Sequence, residues 1–356
     1  MSSFLGLAAF AAVLAAAGPA ERVAVERRVA SMGTLFGLEV VGGSREQALA
    51  ASEQAISEVR RVEDLLTTWR DSPLRRLDDA PVGTPVPLDP ELFDLLESIF
   101  GWADRTGRAF DPAIAPLVRA WDLRGKGRRP SAQELARAVE ATGPDRIRLD
   151  RLHRTASRLD ALAGIEEGAW GKGYALDRAA ERLRASGASA LLDLGGQVAG
   201  RGWNRDGRRW AVGIADPRRR DREVVTVEVA DVSVATSANS QRSLSVGGTR
   251  VGHLIDPRTG RAAADFGSVT VVSPSALQAD ILSTALFVLG PDAGLALAER
   301  LRRNGFAVEV LYLLVREVSA TTATSRLEAR FSPGFPGLVL SMDHSAVRGL
   351  PIHNPS

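Results

Sequence analysis

The chain has 356 residues, 45% of them apolar, enough for one large domain or two with a buried core. Its 45 basic side chains nearly balance 43 acidic ones, so a net charge of +2 gives no reason to expect a nucleic-acid partner. There is no cysteine, which excludes disulfides, thiol catalysis, cysteine metal sites and a lipid attached through a thiol.

Residues 4–17 are an alanine-rich apolar stretch too short to span a bilayer comfortably, followed by Gly18-Pro-Ala20 and the charged Glu21. This reads as a signal peptide over residues 1–20, cleaved near Ala20, and places the mature protein in the periplasm or otherwise outside the cytoplasm. A positively charged start is missing, so an uncleaved membrane anchor is the alternative. No other segment approaches the length of a membrane span. The expected division is a catalytic domain over residues 21–340 and a C-terminal tail over 341–356.

Past the signal, residues 22–29 and 34–41 read as paired strands rich in Val, Leu and Phe. Gly42-Gly43-Ser44 is a turn that offers an N-cap, and Arg45–Leu66 repeats apolar residues at helical spacing. Residues 87–106 form a second amphipathic helix with Gly107 after it. Residues 131–142 form a third, opened by a capping box of Ser131 and Glu134. A fourth runs over 175–186, and a fifth carries Asp280, opened by Pro274-Ser275 and closed by Gly290-Pro291. Strands are expected at 147–149, 190–194, 210–215, 224–229, 269–272 and 308–315, with the charge run 216–222 a solvated hairpin end. This order is not a strict βαβα alternation. The expected class is therefore α+β, a single compact domain of mixed or antiparallel sheet packed with helices.

Three segments carry the chemistry: Val234-Ala-Thr-Ser-Ala238, His253-Leu-Ile-Asp-Pro-Arg-Thr-Gly260 and Ala279-Asp-Ile-Leu-Ser-Thr-Ala285. Asp280 and Thr284 lie four apart, so both oxygens share one helix face. A carboxylate and a hydroxyl suit a hard cation such as Mg²⁺, which keeps positions for substrate phosphates. The apolar stripe Leu277, Ile281, Ala285 and Leu289 explains the helix without a metal, and leaves Asp280 at its wet edge. His253 is the best candidate base, since imidazole accepts a hydroxyl proton near neutrality. His344 and His353 sit near the C-terminus, and His153 in an Arg-rich hairpin. Asp256, three residues after His253, either orients it or helps hold a metal.

Together the segments resemble the FAD:protein FMN transferase (ApbE-like) family, and the resemblance runs in family order from about residue 30 to 340. Upstream it includes Ser31-Met-Gly-Thr34, Thr68-Trp-Arg-Asp-Ser72 with Leu77-Asp78, Ala109-Phe-Asp-Pro112, Gly171-Lys-Gly-Tyr174 with Asp177, and Asp193-Leu-Gly-Gly196. The resemblance implies a T-fold-like α+β domain and an Mg²⁺-dependent transfer of FMN from FAD to a threonine hydroxyl of an acceptor protein, with release of AMP. It implies metal ligands Asp280, Thr284 and the main-chain carbonyl of Gly171, with Lys172 beside the developing charge and His253 and Asp256 as the catalytic pair. Flavin contacts fall to Met32, Trp69, Ala109, Phe110, Asp111, Gly168, Tyr174, Ile255 and Ser283. The implied acceptor is an exported or membrane redox protein with a threonine flavinylation motif. Membrane association would come only through that acceptor or an uncleaved signal.

The chain departs from the family pattern at three places. Asp78 stands where Asn is commoner, Ala238 where Gly is usual, and the lead into Lys172 (residues 162–171) is longer and more acidic. If position 238 required a positive φ, alanine would be strained. Gly195-Gly196 after an apolar strand marks a tight turn rather than a dinucleotide fingerprint. The alternative activity is a flavin-binding protein or an FAD pyrophosphatase giving FMN and AMP, with water in place of the acceptor; a noncatalytic periplasmic binding module is disfavoured by His253, Lys172 and the metal pair together.

Overall fold

The computed structural model describes residues 22–239, 243–246, 249–319 and 324–351, so the expected signal peptide and His353 lie outside the described residues. In chain order the elements are β1 (Val23–Ser31), β2 (Thr34–Gly42), α1 (Arg45–Leu66), α2 (Pro73–Asp79), β3 (Val86–Pro87), α3 (Pro90–Arg105), α4 (Ala115–Ala120), α5 (Ala132–Glu140), β4 (Ile147–Asp150), β5 (Thr155–Arg158), α6 (Gly171–Ser186), β6 (Ser189–Leu194) and β7 (Gln197–Arg201). They continue with β8 (Trp210–Asp216), β9 (Arg219–Val229), β10 (Val232–Ala238), β11 (Ser243–Val246), β12 (Thr249–Gly252), β13 (Gly267–Ser273), α7 (Ala276–Arg303), β14 (Glu309–Ser319), β15 (Thr324–Phe331), β16 (Val339–Met342) and β17 (Val347–Arg348).

Nine strands form one sheet in the order β1-β2-β6-β7-β10-β13-β14-β15-β17. Its described pairs are antiparallel except β15 with β17, which is parallel. Alternation along each strand assigns its two faces. Val310, Tyr312 and Leu314 join the core under α1, α6 and α7, whereas Leu311 and Leu313 join a second core against the small sheet β16-β9-β8. The domain is thus helices, large sheet and small sheet in three layers, the α+β class expected. A third apolar cluster gathers Leu117 and Trp121 by α4, Ala138 of α5 and Ile255.

Local signals hold where side chain and backbone agree. Ser44 accepts from Gln47 N and opens α1 at Arg45, and Ser131 with Glu134 makes the full capping box of α5. The second helix begins at Pro90 rather than 87, because Asp89 is its N-cap and Pro87 pairs with Thr155 in β3. The fourth begins at Gly171 rather than 175. The fifth does not end at Gly290-Pro291 but bends there, Gly290 taking φ 75°, and continues to Arg303. By length and hydropathy α7 would qualify as a membrane span, contrary to the sequence expectation; it is apolar because Ile281, Leu282, Leu286 and Phe287 pack into the main core.

Two further expectations are corrected. Residues 341–351 are not a free tail: β16 pairs with β9, β17 with β15, and Ala346, Val347 and Leu350 are buried in the second core. The charged β8–β9 turn is a hairpin end, yet Asp216 is fully buried there. Its carboxylate accepts from Arg218 at 2.6 Å, and that guanidinium also donates to Ser325 O at 2.6 Å. Burial of Asp216 is compatible with charge because the half-buried Arg218 guanidinium pairs with it through two hydrogen bonds.

Candidate active site at the α6–α7 seam

The first turns of α6 and α7 meet backbone to backbone. A Cβ on Gly173 would drive into the Ala276 carbonyl and stand 2.8 Å from Leu277 Cα, so only glycine fits. Ser275 caps α7 by accepting from Gln278 N at 3.2 Å. Asp177 of α6 accepts from Ser275 Oγ at 2.7 Å, Ala276 N at 2.6 Å and Leu277 N at 3.0 Å. Burial raises the Asp177 carboxyl pKa, and these three hydrogen bonds oppose the rise.

One turn into α7, Asp280 points back at α6. Its Oδ2 accepts from Gly173 N at 3.0 Å and lies 3.7 Å from Lys172 Nζ. Lys172 also donates to Gly168 O at 3.2 Å. Thr284 follows one turn later on the same helical face and is partly buried. These are hard oxygen donors, and they fit Mg²⁺. Gly171, whose main-chain oxygen is the third expected ligand, is the first residue of α6, beside the Asp280 carboxylate. Among the described residues no group of three or more His, Cys, Asp or Glu could hold a metal. A cation here would therefore depend on substrate oxygens.

Ser283 donates to Asp280 O at 3.0 Å and accepts from Ser237 Oγ at 2.9 Å. The Thr-Ser segment of β10 thus docks directly onto the Asp280 turn. Ala238 is paired with Ser268 in extended β10, so no positive φ is demanded of it and alanine carries no strain there.

His253 follows β12 directly and is partly buried. Three residues on, Asp256 is committed to its own turn. Its Oδ1 accepts from Arg258 N at 3.0 Å and Nε at 2.8 Å, and its Oδ2 from Nη2 at 3.0 Å. The turn is fastened to α4 by Trp121 Nε1 donating to Gly260 O at 2.7 Å. Ile255 is buried in the third cluster below it.

The acidic lead 162–171 joins this seam to the tryptophan turn. Glu166 N donates to Pro112 O at 2.8 Å, and Trp170 Nε1 to Glu166 O at 2.8 Å. Arg124 donates to both Glu166 oxygens, at 2.8 and 2.7 Å, and to Thr68 Oγ1. Thr68 donates in turn to Glu167 at 2.8 Å. Burial and the neighbouring Glu167 charge raise the Glu166 carboxyl pKa. Trp69 projects from the turn, 70% exposed, while Ser72 holds the backbone by donating to Thr67 O at 2.6 Å.

The remaining expected flavin contacts divide in two. Met32 (φ 50°) and Gly33 (φ 69°) form the tight β1–β2 turn, and the Met32 methyl would be 3.5 Å from a Cβ on Gly171. Gly168 is exposed beside Lys172. In contrast Ala109, Phe110, Ile255 and Ser283 are buried, so they shape the wall from beneath. Tyr174 donates to Glu91 at 2.6 Å, away from the seam. Asp111 is buried, and burial pushes its carboxyl up to about 6 against the pull of Arg108, 3.2 Å away. Its Oδ2 meets Arg108 in that ion pair without a well-directed hydrogen bond. The Asp193–Gly196 turn is tight as expected, with Gly195 (φ 64°) against Thr34.

The structure thus brings Met32, Trp69, Asp111, Gly168, Lys172 and Asp280 onto connected segments. Sequence reasoning gave no role to Arg124, to the Glu166–Glu167 pair or to Asp177 as a helix cap. For Asp177 no local signal was available, since it lies inside α6 and the helix it caps opens 98 residues later; Arg124 sits in a Gly/Arg turn that reads as solvated.

The ApbE family profile matches residues 32–308. The chain is 30% identical over 297 residues to the FAD:protein FMN transferase of Klebsiella pneumoniae strain 342, covering 81% of this chain and 83% of that protein. It is 32% identical over 266 residues to the protein of that name from Treponema pallidum, covering 70% and 74%. The fold matches the ApbE protein of Thermotoga maritima with a TM-score of 0.78 at 26% identity, over 89% of this chain and 99% of that one. It matches the apo flavinyl transferase ApbE of Pseudomonas stutzeri with a TM-score of 0.74 at 27% identity, over 89% and 97%. With the profile spanning most of the chain and both sequence and fold in agreement, this protein belongs to the ApbE family.

Proposed function

We propose that this protein transfers FMN from FAD to a threonine hydroxyl of an acceptor protein, with Mg²⁺ at the α6–α7 seam. Transfer of FMN from FAD to protein is the activity in the names of its relatives. The observation that carries the site assignment is the meeting of Lys172, Gly173 N–H and Asp280 where α6 and α7 touch. A lysine beside a carboxylate that can hold Mg²⁺, the carboxylate itself fixed by a main-chain donor, is what a charged pyrophosphate needs.

In the reaction the acceptor Oγ bonds to the phosphorus on the FMN side of the pyrophosphate. The bond from that phosphorus to the bridging oxygen breaks, and AMP leaves with that oxygen. The hydroxyl proton passes to the His253 imidazole. Lys172, at 3.7 Å from Asp280, is placed to offset charge on the departing phosphate. Asp280 and Thr284 would hold Mg²⁺, which would supply Lewis-acid neutralisation of the pyrophosphate. Asp256, held by Arg258, shapes the His253 turn.

Incubation of the purified protein with FAD, Mg²⁺ and an exported redox protein bearing a threonine flavinylation motif tests the reading. Covalent flavin on the acceptor with equimolar AMP supports transfer, whereas AMP with free FMN supports hydrolysis. We also place the protein outside the cytoplasm, from the apolar stretch at residues 4–17. N-terminal sequencing of the exported protein checks this: a start near Glu21 supports it, and an intact Met1 on cytoplasmic protein contradicts it.

A further inference from the structure

Arg124 stands against the most exposed aromatic ring of the site. Its guanidinium carbon is 4.7 Å from the centroid of the Trp69 ring, and the arginine side chain is only 29% exposed. Its other contacts are Glu166, at 2.8 and 2.7 Å, Glu167 at 3.5 Å and Thr68 Oγ1. Arg124 also rises from a fastened base: Lys126 N donates to Asp122 Oδ2 at 3.1 Å, and Arg128 N to Trp121 O at 2.9 Å. One guanidinium therefore ties three segments together: the turn after α4, the tryptophan turn and the acidic lead to Lys172.

We infer that Arg124 is a positioning residue for FAD binding: it fixes the plane of Trp69 so that a ligand ring stacks on the open part of the indole. This rests on the reading that Trp69 meets the flavin or adenine ring of FAD. A tryptophan on an exposed turn samples several rotamers, and a ligand that stacks on it must freeze one. A guanidinium over the ring selects the rotamer beforehand and adds a cation–π attraction. Glu166 and Glu167 hold the guanidinium itself, which gives the acidic departure at 162–171 a purpose. Two carboxylates against one guanidinium also leave the staple net negative, so the pyrophosphate is steered away from it and toward Lys172.

The test is equilibrium dialysis of FAD against the parent, Arg124→Met, Trp69→Ala and the double variant, each checked for folding by far-UV circular dichroism. Met keeps the apolar stem and removes the charge and the donor fork. Arg124→Met should weaken FAD binding about 3- to 30-fold. The double variant should bind no more weakly than Trp69→Ala, because Arg124 acts through that ring. Arg124→Lys, which keeps a charge without the fork, should recover part of the loss. The near-UV tryptophan signal of Arg124→Met should fall even without ligand, which a loss confined to ligand contacts would not cause. Parent-like binding by Arg124→Met, or additive losses in the double variant, would overturn the inference. If the parent itself does not bind FAD, the functional reading fails, and the claim about FAD fails with it.

Discussion

Asp78→Asn should stabilise this protein, and increasingly so as pH rises. Asp78 lies on α2 and accepts from Ile165 N at 3.0 Å. Arg119, Arg158 and Arg75 face it, yet burial dominates and pushes its carboxyl from 3.8 up to about 7. Between those two values the folded state holds a proton that the unfolded chain has released. Stability contributed by this group is thus full at acid pH and falls as pH rises toward 7. A rise of about three units is worth at most about 4 kcal/mol, and about 2 kcal/mol after allowing for residual solvent contact. Asparagine keeps the acceptor for Ile165 and never ionises, which is the residue type more usual in the family. Urea unfolding of parent and variant from pH 5 to pH 9 measures the difference. The gap should widen from well under about 1 kcal/mol at pH 5 to about 2 kcal/mol at pH 8 and above. Parallel curves, or a gap that closes with rising pH, would refute the assignment of a buried, near-neutral carboxyl.

Asp280→Ala should abolish Mg²⁺-dependent FAD cleavage, and full activity in metal-controlled buffer would remove Asp280 from the site. Because Asp280 is buried, not at the wet edge expected, and accepts from Gly173 N, Tm should also fall, by about 1–3 kcal/mol of stability; Asp280→Asn, which keeps the acceptor, separates the two effects. His253→Ala should slow transfer about 10²–10⁴-fold with FAD affinity nearly kept, and a matching loss of affinity would make it a binding residue. Gly173→Ala forces α6 and α7 apart at the Ala276 carbonyl and should cost about 1–3 kcal/mol, read as a lowered Tm; an unchanged Tm would mean the two helices are not in backbone contact.

What the sequence made legible was local. Ser44, Ser131 and the Arg45–Leu66 periodicity fix two helix starts because cap and pattern lie within a few residues of each other. The β1–β2 pair follows from a turn only two residues long. Ser72 and Pro73 are an equally good helix start, but α2 is only seven residues and too short to show a period. Gly171 and Gly173 read as a loop by propensity, and become helix because Asp280 accepts from Gly173 N. The strands at 339–342 and 347–348 are short and owe their place to partners 112–117 and 20 residues away in β9 and β15, which no window reveals.

The site shows the same division. Asp280 and Thr284 are legible because four residues make one helical face. Arg124 is not, since its meaning depends on Trp69 and Glu166, contacts set 55 and 42 residues apart in sequence. Ser283 reads as a flavin contact by motif, and nothing local reveals that its hydroxyl also accepts from Ser237, 46 residues away. Burial of that kind is a property of packing rather than of pattern.

The most direct test of the central claim is mass spectrometry of the acceptor protein after incubation with this protein, FAD and Mg²⁺. The account predicts an FMN adduct on a single threonine, retained through denaturation, with one AMP released for each adduct and none formed by Asp280→Ala. AMP and free FMN without an adduct, or an undiminished adduct with Asp280→Ala, would contradict it.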